Sequence, residues 1–287
     1  MKAIQFDQLN PLGNSLMTEF TRVKGNRDLG GHADVTAWAK SAFWTPILAQ
    51  LGISYDDIGT GGGGLVMNGS DEDFQNVQRW VEQGSGGMYT AYRDADSRVT
   101  LLKTAHKGHV RLNDKQRAFI DILLDATDEN QGLVTIDLVN NSENVFVGSL
   151  FGGTIDVGDI EQFGKAIGRF DVVSSVGIFA HEVFEQVLAQ RYSGGKVVTL
   201  SDNTANEIHK MAITDAENLV NGSTFEGYAK SNNVTITNGP NWRGTNKILI
   251  GGEIRNGNMD VNYRLNGVIT TISIAIKNNN IISVKPL

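Results

Sequence analysis

Between residues 65 and 222 the apolar positions switch repeatedly between strand spacing and helix spacing, and beyond 222 only strand and turn patterns remain. Leu65–Met67 predicts a strand. Phe74, Val77 and Val81 form one stripe of a helix that Ser70 or Asp71 can cap, running to about Gln83 and closed by Gly84, Ser85, Gly86 and Gly87. Met88–Tyr92 and Val99–Lys103 read as strands. Asn113 or Asp114 then caps a helix from Lys115 to about Thr127, with Phe119, Ile120, Leu123 and Leu124 inward. Leu133–Val139 and Val145–Val147 alternate as strands do, and Phe151–Val157 leads into a short helix, Asp159–Phe163. Two longer helices follow: one capped by Asp171 and running to about Tyr192, the other opened by a capping box at Thr204–Glu207 and stopped at Asn221-Gly222. The remainder predicts an antiparallel meander over Val234–Ile236, Lys247–Ile250, Glu253–Ile254, Asp260–Leu265, Val268–Lys277 and Ile281–Lys285. Its turns fall at Gly251-Gly252, Asn256–Asn258, Asn266-Gly267 and Asn278–Asn280.

The first 63 residues carry less pattern. Asp34–Leu51 has apolar residues at helical spacing, interrupted by Pro46. Gly59–Gly64 satisfies G-x-G-x-x-G, but a dinucleotide fingerprint needs a strand before the glycines and a helix opening on them. Here the apolar run follows the glycines, so they read as a linker. The expected organisation is an α+β protein: an N-terminal segment and Gly-rich linker over 1–63, a mixed domain over 64–222, and an antiparallel β-region over 223–287.

Composition narrows the chemistry. The chain has 287 residues and no cysteine, which removes disulfides, thiolate metal sites and thiol nucleophiles together. Any metal must sit on His, Asp or Glu. Lys and Arg number 25 against 32 Asp and Glu, a net charge of -7 without like-charged blocks, so nucleic acid is not an expected partner. Neither a membrane span nor a signal peptide is visible, and the chain is expected to be soluble.

The helix around residue 180 reads Val176-Gly177-Ile178-Phe179-Ala180-His181-Glu182-Val183-Phe184-Glu185-Gln186-Val187-Leu188. It is apolar nearly all round, which predicts burial, except for a stripe of His181, Glu182, Glu185 and Gln186. Ionisable groups on a buried helix cost several kcal/mol each if unpaired, so this stripe must meet a metal, a counter-charge or a water-filled cleft. His-Glu-x-x-Glu also keeps the i,i+4 geometry of His-Glu-x-x-His, with an oxygen ligand in place of the second nitrogen. On the following helix, His209 completes a His2Glu ligand set with His181 and Glu185, leaving one position for water. Glu217, eight residues on, can serve as a fourth ligand or as the acceptor that orients His209. A buried His–Glu hydrogen-bond network that only ties the helices together uses the same residues. Of the other histidines, His106 and His109 read as a surface loop, and His32 stands alone. No Gly-x-Ser-x-Gly elbow supports a serine hydrolase.

Gly152–Val157, the helix bearing His181 to Gln186, and the next helix with His209 and Ala216-Glu217-Asn218 together resemble the zincin-like metallopeptidase domains at the C-terminal ends of bacterial polymorphic toxins, including Rhs-type ones. The likeness covers about residues 60 to 222. It implies a zinc ion on His181, Glu185 and His209, Glu182 as catalytic base, and a protein or peptide substrate. It further implies export by a bacterial secretion system without a conventional signal peptide, with a delivery-apparatus or immunity-protein partner; a cytoplasmic location stays open. Two functions are therefore expected in competition. One is a zinc-dependent metallopeptidase acting as a toxin or effector domain. The other is a non-enzymatic binding or structural module whose His/Glu network is a buried clasp. Tyr192 and Tyr228 are the aromatic hydroxyls nearest in sequence for stabilising an oxyanion.

Overall fold

A computed structural model describes residues 63–104, 111–165, 172–192, 200–228, 235–237 and 253–287. All of them belong to the second of two units into which the chain divides, Gly59–Leu287. The antiparallel β-region expected over 223–287 belongs to this unit too. The helix expected over 34–51, the strand over 247–250, the Asp171 cap and three histidines (His32, His106 and His109) lie outside the described residues.

The elements are β1 (Gly64–Asn68), α1 (Asp71–Gly84), β2 (Tyr89–Arg93), β3 (Arg98–Lys103), α2 (Asp114–Ala126), β4 (Leu133–Val139), β5 (Gly148–Ser149), β6 (Thr154–Asp156), α3 (Val157–Lys165), α4 (Ser175–Tyr192) and α5 (Asp202–Met211). A π-helical segment, Ala212–Glu217, joins α5 to α6 (Asn218–Asn221). Then come β7 (Thr224–Tyr228), β8 (Thr235–Thr237), β9 (Glu253–Leu265), β10 (Val268–Lys277) and β11 (Asn280–Pro286). The protein is thus a mixture of helix and strand that ends in an antiparallel meander.

Six strands form the first sheet in the order β2-β3-β1-β4-β6-β5. β1, β4 and β6 run parallel, while β2, β3 and β5 are antiparallel to their neighbours. A strand thus follows the 59–64 glycines where a dinucleotide fold would need a helix. Ser70 caps α1 in a reciprocal box: its hydroxyl accepts from the Asp73 N–H at 3.1 Å, and the Asp73 carboxylate accepts from the Ser70 N–H at 3.3 Å. Asn113 and Gln116 repeat the device at α2.

Helix α4 is the centre of the unit. Every residue from Gly177 to Arg191 is buried, which explains its apolar circumference. Phe179 packs at 5.2 Å from Trp80 of α1 and 6.4 Å from Phe119 of α2. Full burial of one such side chain stabilises by about 1.5–3 kcal/mol. Two glutamines bind α4 to the sheet. Gln190 both donates to the Thr135 carbonyl (2.6 Å) and accepts from its N–H (2.8 Å), occupying the edge of β4 beyond its pairing with β6. Gln186 donates to the Ser149 carbonyl at 3.0 Å.

Four details depart from the sequence expectation. Val145–Val147 is not a strand: Val147 takes φ +60°, its N–H donates to the Asp159 carboxylate at 3.0 Å, and Phe146 makes only an isolated bridge to Gly148. The second long helix starts at Asp202, capped by Ser201, whose hydroxyl accepts from the Thr204 N–H at 3.2 Å, while Glu207 pairs instead with Lys210. That helix is also interrupted by the π segment before Gly222 ends it in the left-handed conformation. Finally, Asn256–Asn258 makes no turn. It lies inside the 13-residue β9, with Gly257 at φ +135° opposite Ile276.

The second sheet has the order β11-β10-β9-β7, with β8 also on β9. Asn266-Gly267 (φ 51° and 82°) and Asn278-Asn279 (φ 50° and 65°) form the left-handed two-residue turns that join β9 to β10 and β10 to β11. This sheet contacts the first half of the unit directly: the Ile281 N–H donates to the Asp159 carboxylate at 2.6 Å, and the Asn279 amide donates to the Glu143 carbonyl at 3.2 Å. Among the described residues no helix is long and apolar enough to cross a membrane.

Candidate metal centre

Helix α4 presents His181, Glu182 and Glu185; α5 and the π segment present His209 and Glu217. One potential ligand atom from each of His181, Glu185 and His209 can be chosen so that all lie within 4.8 Å of one another. The two imidazoles meet edge to face, 4.9 Å between centroids. His181 and Glu185 are buried and His209 is half-buried.

Each histidine is held through Nδ1. A carboxylate can only accept, so Nδ1 carries the proton in both pairs. His209 Nδ1 donates to Glu185 Oε1 at 2.8 Å, and His181 Nδ1 donates to Glu217 Oε2 at 3.0 Å. Glu217 therefore orients His181, not His209. The physical reason lies in the π segment between His209 and Glu217: its wider i→i+5 turn sets the register back by about one residue, or ~100°. An unbroken α-helix would instead put Glu217 on the face of His209.

A sixth participant comes from the second sheet. The Tyr263 hydroxyl donates to the other oxygen of Glu217, Oε1, at 2.8 Å. Tyr263 is separated from Glu217 by 46 residues, and no local pattern links the two. The side chains of Tyr192 and Tyr228 lie outside the described part of the structure.

Glu182 is buried, and among the described residues its Oε2 finds no hydrogen-bond partner. Its carboxylate lies against Gly148 at the start of β5, where a Cβ would stand 1.8 Å from Oε2. Any side chain at 148 would displace it. Burial and the charge of Glu185 hold the Glu182 carboxyl well above the usual carboxylate range. Burial acts the same way on Glu185, but the charge and hydrogen bond of His209 outweigh it and lower that group. For His181, burial opposes the charged ring, yet the hydrogen bond to Glu217 and the charges of Glu182, Glu185 and Glu217 push it up to about 9.

The donor set suits a metal ion. Two imidazoles and a carboxylate are the composition of catalytic zinc sites that keep an open position. Three buried glutamates crowd the site, and among the described residues no lysine or arginine pairs with Glu182, Glu185 or Glu217. A divalent cation would offset that concentration of negative charge. His181 held by Glu217 through Nδ1 keeps Nε2 for coordination, the arrangement in which an outer carboxylate fixes a ligand's tautomer. Comparison of this chain with protein-family models, with curated proteins and with solved structures found no match.

Proposed function

We propose that the protein is a zinc-dependent peptidase whose metal is held by His181, Glu185 and His209. The observation that carries this reading is the convergence of those three groups beside a buried glutamate with an oxygen left unpaired. When bound, zinc supplies Lewis-acid polarisation of a carbonyl and lowers the pKa of water to near neutrality. Glu182 contributes the proton transfer. As a carboxylate it removes the proton of an attacking water, holds it on its carboxyl and delivers it to the leaving amine. Gly148 provides the space in which that carboxyl sits. The resemblance to toxin-borne zincin-like domains extends the proposal to an exported effector that cleaves protein or peptide.

A second reading has its own support. Both histidines already find carboxylate partners, so the network can act as a buried clasp in a binding module. Elemental analysis of the purified protein separates the two. The peptidase reading expects about one zinc per chain and a fall in the thermal midpoint on chelation. Protein without zinc, insensitive to chelator after zinc has been offered, would overturn it.

A further inference from the structure

We infer that Tyr263 is a positioning residue of the metal centre, acting on His181 through Glu217, so that the C-terminal sheet is a working part of the site. The inference rests on the metal-binding reading above. Three side chains form a line of hydrogen bonds from the sheet to the helix. The Tyr263 hydroxyl donates to Glu217 Oε1 at 2.8 Å, and Glu217 Oε2 accepts from His181 Nδ1 at 3.0 Å. All three are buried, so water does not compete for either oxygen of Glu217.

The origin of each end makes the line a positioning device. Tyr263 lies on β9, the strand paired on both sides, opposite Thr270 of β10 and Phe225 of β7. Its ring meets Phe225 edge to face at 5.8 Å, which fixes where the hydroxyl can go. Glu217, by contrast, ends a π-helical segment and is itself the N-cap of α6, where its side chain makes no capping hydrogen bond. The less regular element carries the carboxylate, and the rigid sheet holds it in place. With both oxygens engaged, Glu217 presents one lone pair to His181 Nδ1, which leaves Nε2 as the ring nitrogen turned to a metal.

Tyr263→Phe tests this, since it deletes only the hydroxyl and keeps the ring on Phe225. Thr271→Val is the control: it removes a hydroxyl that donates to the Asn262 side chain at 2.7 Å in the same sheet, away from Glu217. Zinc affinity is measured on the full chain by competition with a chromogenic chelator. Tyr263→Phe is expected to weaken zinc binding about 10-fold, the lower end of what loss of an outer partner costs, with Thr271→Val matching the wild type. Equal affinities in Tyr263→Phe and wild type would overturn the inference. If the wild type takes up no zinc, the peptidase reading fails by itself, and the metal-free protein decides the role of Tyr263. The His181 Nδ1–H proton, followed by NMR, should exchange with water faster in Tyr263→Phe than in wild type. An unchanged exchange rate would sink the proposal.

Discussion

Two groups of buried carboxylates occupy this unit, and they are satisfied by different means. Asp156 and Asp159, both fully buried, accept from main-chain N–H groups. Asp156 takes those of Asn141 and Gly158 at 2.9 Å, Asp159 at 3.1 Å and Ser142 at 2.6 Å, capping α3 and closing the loop after β4. Asp159 takes the N–H groups of Val147 and Ile281, joining that loop to β11. Glu182, Glu185 and Glu217 are buried as well, but Glu185 and Glu217 are partnered by two imidazoles and a phenol, and Glu182 Oε2 has no partner among the described residues. Main-chain donors cannot move or change protonation, so a carboxylate bound to them is a structural post. Imidazole partners can exchange a proton for a metal ion, and an unpaired oxygen can take a proton from a substrate or water. The difference between a structural post and a group that could hold a metal or a proton thus lies in the partners.

The comparison breaks most sharply at Glu182. Glu182→Gln is expected to lower cleavage of any peptide the wild type accepts by about 10²–10⁴-fold, the range for loss of a general acid–base group. Bound zinc should remain and the thermal midpoint should hold or rise, because a crowded negative charge has gone. Retained activity would move Glu182 out of the chemistry. Asp156→Ala should do the reverse. It removes the acceptor of four N–H groups, two of them buried, and urea unfolding should show a loss on the order of 3 kcal/mol; a loss below about 1 kcal/mol would remove Asp156 from the scaffold.

A further effect concerns pH. Burial raises the Asp159 carboxyl to about 7, against the hydrogen bonds of Val147 and Ile281 and aided by the charge of Asp156. The folded state then binds more protons than the unfolded chain, whose Asp titrates at about 3.9. The sign follows directly: this group's contribution to stability is greatest below about pH 4, falls as pH rises to about 7, and is flat above. The slope is at most about 1.4 kcal/mol per pH unit. Asp159→Asn should be the less stable protein at low pH, and its deficit should shrink from pH 4 to 7 in urea titrations. A deficit constant over that range would show that Asp159 does not titrate there.

Much of the scaffold was legible before any coordinates. The strands and helices from β1 to α2, the burial of α4 and the two Asn-based hairpin turns follow from local spacing and turn chemistry, which act within a few residues. Where the reading failed, distant partners intervened. Val145–Val147 alternates like a strand but is bent by Asp159. Asn256–Asn258 has turn composition but is paired along its length by β10. The π segment has no periodic signature of its own, because one inserted residue shifts a register without changing composition.

The sequence by itself determined which residue types any chemistry must use and where they sit along the chain. With no cysteine, and with His181, Glu182 and Glu185 on an otherwise apolar helix, burial of those charges forced a polar partner into the core. Only the tertiary structure decided that His181 took Glu217, that Glu185 took His209, and that Glu182 Oε2 took none among the described residues. A hydrogen bond is a matter of a few tenths of an ångström and of direction, and those are set by the π segment that carries Glu217 to His181 and by the sheet that brings Tyr263 to Glu217.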